Sequence, residues 1–161
     1  MELRRVVITG IGAITPIGNT APEYWDNLCK GVSGAGKITR FDSTKLKTHI
    51  ACEIKGYDSE AYFDRKESRK LDLYAQYAIV AADEAIKDSR IDKGNTDFDE
   101  VGVVFASGIG GISSLYYDMM DSDWNGEALR LSPFTIPRLL PDLASGHISI
   151  KHGFRGANFA T

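Results

Sequence analysis

Cysteine is scarce in this chain: Cys29 and Cys52 are the two among 161 residues. They have neither C-x-x-C spacing nor the density of a disulfide framework, and they read as reduced thiols of an intracellular protein. Long apolar runs are also missing. No stretch approaches the roughly 20 residues needed to cross a bilayer, and the run after Arg4-Arg5 is too short for a signal-peptide core, so the expected setting is the cytoplasm with no membrane partner. Nor is there an excess of positive charge. With 19 Lys and Arg against 22 Asp and Glu, the net charge of −3 offers no basic field to a polyanion, and nucleic acid is not an expected partner. Of the three histidines, His147 and His152 are five apart, which misses the i, i+4 spacing of two ligands on one helix face, so no metal is expected. No repeat or low-complexity tract appears. What remains, 43% hydrophobic and 25% charged, suits a soluble globular chain that fits one ordinary domain on size alone.

Helices alternating with strands predict an α/β fold. Arg4 to Thr9 is β-branched and nearly continuously apolar, the mark of a strand covered on both faces. Pro22 suits the first turn of a helix ending near Gly31, with Trp25, Leu28 and Cys29 on one face. A glycine-rich loop over Gly31 to Gly36 precedes a second expected strand, Thr48 to Ile54. From Arg69 to about Asp88, Leu71, Tyr74, Ala78, Ala81 and Ala85 recur at helical spacing, and the alanines let neighbouring backbone approach closely. Val101 to Ala106 reads as a buried strand, followed by a helix to about Asp121. Pro133, Pro137 and Pro141 then divide the chain into short pieces, and Asp142 can cap a short helix.

Two glycine-rich turns follow predicted strands. Gly10-Ile11-Gly12 invites a dinucleotide reading, but the third glycine is missing, Pro16 delays any helix, and no acidic residue follows at the right distance. A tight strand-to-loop turn is the better reading. Ser107-Gly108-Ile109-Gly110-Gly111 lacks the Lys-Ser/Thr end of a phosphate-binding loop; its glycines suit close passage of backbone past a ligand or another segment. Ile109 fits a pocket wall or plain core equally well. His49 and Cys52 are three apart in a predicted strand, so they face opposite sides and cannot share a proton. Lys66, Arg69 and Lys70 cluster at the predicted start of the long helix, where cations oppose the helix dipole. With free amides they could form an anion site; a solvated face tempered by Asp64, Glu67 and Asp72 is the even alternative.

Taken together, Arg4 through Gly12, Ser107 through Gly111, Leu131-Ser132-Pro133-Phe134, and Gly153 through Thr161 resemble, in order and spacing, the N-terminal part of the elongating, type II β-ketoacyl-acyl-carrier-protein synthases. The resemblance implies a thiolase-like layered α/β fold and a cytoplasmic homodimer that condenses acyl and malonyl groups without cofactor or metal. It places Ile109 and Phe134 in the acyl pocket, and Lys66, Arg69, Lys70 and Arg130 on the surface that docks an acidic acyl carrier protein. The family's nucleophilic cysteine would follow within a few residues of the position matching Thr161, and its two catalytic histidines belong to a C-terminal half. Residues 1–161 are therefore expected to be the N-terminal part of a synthase domain lacking that half, with no catalytic residue of its own and no condensing activity alone. Ala157 departs from the family pattern, which commonly has proline there. A non-catalytic partner of the chain-length-factor kind shares every feature up to Thr161, and a nucleotide-binding module is the weaker third reading.

Overall fold

The computed structural model describes residues 5–121 and 131–161. In chain order the helices are α1 (Ala21–Cys29), α2 (Arg65–Ser68), α3 (Leu73–Ser89), α4 (Ile112–Asp121), α5 (Thr135–Leu139) and α6 (Leu143–His152). The strands are β1 (Gly36–Lys37), β2 (Ile50–Ala51), β3 (Val103–Phe105) and β4 (Asn158–Ala160). These elements form two units, Met1–Asp58 with Asp83–Arg90, and Ser59–Ala82 with Ile91–Thr161, so that α3 contributes to both.

In the first unit, α1 begins as its sequence predicts. The Thr20 side chain accepts from the Glu23 N–H, Pro22 lies in the first turn, and Gly31 follows the end at φ +68°. The Gly10 turn rests on the last part of α3. A Cβ on Gly10 would lie 2.2 Å from the Ala85 carbonyl oxygen, so a close approach between backbones requires this glycine. Two of its amides are taken within the chain: Ile11 N–H donates to the Asp88 carboxylate at 3.0 Å and Ala13 N–H to that of Glu84 at 2.8 Å. Glu84 also accepts from Ala21 N–H at 2.9 Å. Two acidic side chains thus occupy donors of this turn and place negative charge where a pyrophosphate would sit, against the nucleotide reading. Glu84→Ala is expected to destabilise this unit by about 2–3 kcal/mol, since charge-assisted bonds to partly buried amides are lost together, and denaturant unfolding measures it. β1 and β2 pair antiparallel, with Gly36 opposite Ala51.

The second unit holds the apolar core of the described residues: Phe63, Leu71, Ala75, Ala78, Ile79, Val80, Ala144, Ile148 and Phe154. Ala75, Ala78 and Ile79 lie at i, i+3, i+4 on α3 and form its buried stripe. β3 and β4 pair in parallel, Val103 opposite Asn158 and Phe105 opposite Ala160, and α6 packs on both. A parallel pair needs a long crossover, here supplied by α4, α5 and α6. α4 packs against α5.

Three expectations are corrected. Residues 5–9 form no strand, and Val6 and Ile8 are 89% and 84% exposed, because a strand requires a neighbour to take its N–H and C=O groups and none of the described strands pairs there. The strand expected over Thr48 to Ile54 contracts to Ile50–Ala51. The long helix starts at Leu73 rather than Arg69, because the chain breaks between α2 and α3. The buried Gln76 amide stabilises that break by donating to the freed carbonyls of Ser68 and Leu71, both at 3.1 Å.

Candidate functional site

Two of the three glycines of Ser107 to Gly111, Gly110 and Gly111, face their own chain, while Gly108 faces open space. A Cβ on Gly110, at φ +70°, would sit 2.2 Å from the Leu139 carbonyl oxygen, and one on Gly111 would sit 2.0 Å from that of Arg138. Gly111 N–H donates to Leu139 O at 3.1 Å, and Gly110 N–H to the Ser107 hydroxyl at 3.0 Å. The turn is thereby seated on the end of α5, and Ile109, just ahead of the contact, is 64% exposed. Phe134 precedes the first turn of the same helix, where its amide donates to the Ser132 hydroxyl at 3.2 Å. α5 is five residues long, so the two predicted pocket residues are attached to opposite ends of one short rod about 7 Å in length.

Lys70 joins this group: its Nζ lies 5.8 Å from the centroid of the Phe134 ring, a cation–π contact. The three predicted docking cations do not stand at the start of the long helix. Lys66 lies within α2, Arg69 is the residue that ends it, and Lys70 follows in the break. Arg69 therefore stands at the end of a helix, where positive charge is favourable, and for this residue the expected conflict with the dipole does not arise. The amides of Lys66 and Glu67 are taken by the Asp64 carboxylate at 2.7 and 2.8 Å, so what this surface presents is the exposed side chains. Arg130 lies outside the described residues.

The sequence reading missed the residues that hold these parts together. Asp118 on α4 accepts from Arg138 Nη2 at 2.7 Å and from the Thr135 hydroxyl. Asp72 accepts from the Ser114 hydroxyl and, at 3.1 Å, from Tyr74 N–H at the head of α3. The Tyr74 hydroxyl donates to Leu140 O beyond α5. No periodicity could have signalled Asp118 with Arg138, 20 positions apart in sequence.

Burial, reinforced by Asp72 and Asp142, pushes the Tyr74 hydroxyl up to about 12. The folded chain thus holds this proton more tightly than the unfolded one, whose tyrosines titrate near ~10. Its contribution to stability is full below about pH 10 and is lost as pH rises towards about 12. Alkaline unfolding should be less steep in Tyr74→Phe across that window, as circular dichroism would record. Burial lowers the pKa of His147 on α6, with Glu67 opposing the shift. Among the described residues no group of His, Cys, Asp and Glu is placed to hold a metal ion, and no helix is long and apolar enough to cross a membrane.

Residues 3–161 match the family described as Beta-ketoacyl synthase, N-terminal domain. The chain is 45% identical to 3-oxoacyl-[acyl-carrier-protein] synthase 2 of Staphylococcus aureus (strain N315), a match covering 98% of this chain and 38% of that protein. It therefore spans less than half the length of the curated relatives it matches. Among solved structures, the ishigamide ketosynthase/chain length factor superposes with a TM-score of 0.80 at 26% identity, over 98% of this chain and 40% of that one. A type II PKS acyl-carrier protein in complex with its ketosynthase gives a TM-score of 0.64 at 24% identity, over 96% and 40% of the two chains, and shares the fold.

Proposed function

The chain belongs to the β-ketoacyl synthase family, matching its N-terminal domain and sharing its thiolase-like α/β fold, and from that premise we propose that it serves an enzyme that elongates acyl chains on acyl carrier protein. In the proposed reaction an acyl group passes from its carrier thioester to an enzyme thiol. Malonyl-carrier protein then loses carbon dioxide, the electrons of the broken C–C bond form an enolate, and its carbon attacks the acyl thioester as the thiolate leaves. The product is a 3-oxoacyl-carrier protein two carbons longer. No redox cofactor or metal enters this balance.

The whole chain acts in this reading as the N-terminal part of one synthase domain in a cytoplasmic homodimer. Ile109 and Phe134 line the acyl pocket, where each buried methylene contributes about 0.8 kcal/mol. Lys66, Arg69, Lys70 and Arg130 receive the acidic carrier. Beyond family membership, one observation supports the assignment: Lys70 lies over the Phe134 ring at 5.8 Å, so a docking cation adjoins a pocket aromatic. A carrier held by the first would deliver its acyl arm beside the second. The test is release of labelled carbon dioxide from malonyl-carrier protein by the gene product carrying this sequence. Release that depends on an acylated primer supports the proposal; none at any primer length contradicts it.

A further inference from the structure

Within that proposed pocket, we infer that Asp118, Thr135 and Arg138 form a clamp that fixes Ile109 relative to Phe134 and thereby sets which acyl-chain lengths are accepted. The inference rests on the acyl-pocket reading, but no part of the family resemblance supplies it. α5, with five residues and a proline among them, is too short to hold its own geometry, since a single turn gains few hydrogen bonds for the residues it orders. Its Phe134 cap position makes no side-chain capping bond. Something outside the helix must fix it.

The Asp118 carboxylate does so from α4. It ion-pairs with Arg138 at 2.7 Å, the two side chains 18% and 19% exposed, and accepts from Thr135, a residue 1% exposed. Poor solvent access means that removing one partner leaves an unsatisfied group rather than a hydrated one. Arg138 carries the restraint to both ends of the helix. Its Nε donates to the Phe134 carbonyl at 3.4 Å, while its own carbonyl and that of Leu139 form the seat that only glycine at 110 and 111 can occupy. A shift of α5 against α4 therefore moves Phe134 and the turn bearing Ile109 together, and loss of the guanidinium fork releases one from the other. These are positioning residues, acting through pocket walls they do not themselves provide.

The experiment measures kcat/KM of the complete gene product with a short (hexanoyl) and a long (tetradecanoyl) carrier-linked primer, for wild type, Asp118→Asn and Arg138→Lys, beside the Tm of each. Arg138→Lys keeps the charge and stem but lacks a planar fork able to reach Asp118 and the Phe134 carbonyl together, so it serves if Asp118→Asn folds poorly. The expected result is a change of about tenfold in the long-to-short ratio, the scale on which small displacements and single methylenes alter reaction rates. A general loss of stability scales both primers alike. An unchanged ratio in an active variant, whatever its Tm, overturns the clamp and leaves the pocket reading standing. Absence of turnover in the wild type at both lengths overturns the pocket reading and the clamp with it.

Discussion

Charge reversal at Lys66 and Arg69 together is expected to raise the KM for carrier-linked substrate by about tenfold or more, with a much smaller effect on kcat. Among the described residues neither side chain has an ion-pair or hydrogen-bond partner, and both are exposed. The carboxylates of Asp64 and Asp72 make their hydrogen bonds to other groups. Asp64 takes the amides of α2, and Asp72 takes Ser114 and the Tyr74 amide. Glu67 lies close enough to His147 to act on its titration. The face therefore presents local positive charge on a chain of net −3, which suits an acidic partner. Reversing two docking charges at about 0.7 kcal/mol each gives the stated factor. The steady-state KM at low salt checks it, and the variant should lose most of the salt dependence that wild type shows, because screening acts on the interaction removed. Equal KM values at low salt would return these residues to an ordinary solvated surface.

Gly111→Ala should be among the most damaging single substitutions in the second unit. The new Cβ would lie 2.0 Å from the Arg138 carbonyl oxygen, a backbone atom, and 3.1 Å from Asp72 Cβ. Neither can yield cheaply: Gly111 N–H is bonded to Leu139 O, and Arg138 is held by Asp118. A loss of roughly 3 kcal/mol is expected from overpacking, or more than about 10 °C in Tm for a unit of this size. Gly110→Ala adds backbone strain to a 2.2 Å clash, because its φ is +70°. Gly108→Ala is the control, since its Cβ would meet nothing within 4 Å. Thermal unfolding should show Gly108→Ala close to wild type and Gly111→Ala far below it; similar Tm values would mean that the turn is not seated on α5 as described.

The contrast between these predictions shows what the sequence made legible. α1 is bounded by its proline and glycine and a helix follows Gly111 as expected, because local chemistry dictates each, whereas the buried strand expected over Val101 to Ala106 contracts to Val103–Phe105 with Val104 exposed. The break after α2 was hidden, since the long apolar period runs on through Leu71 while the restraint that permits the break is a glutamine eight positions from one of its acceptors. Continuous apolarity over Arg4 to Thr9 predicts a strand, yet pairing is a property of neighbours rather than of the segment. The site divides in the same way. Ile109, Phe134 and the cations stand out as motifs, whereas Asp118, Thr135 and Arg138 are unremarkable letters brought together only by the packing of α4 on α5.

The most direct test of the proposed activity is the intact mass of acyl carrier protein after incubation with the complete gene product, an acyl-loaded primer and malonyl-loaded carrier. The account predicts a new carrier-bound species whose mass corresponds to the primer acyl group lengthened by two carbons as its 3-oxo form, together with deacylated primer carrier. Recovery of only the starting acyl and malonyl species, from folded protein and at every primer length tried, would contradict it.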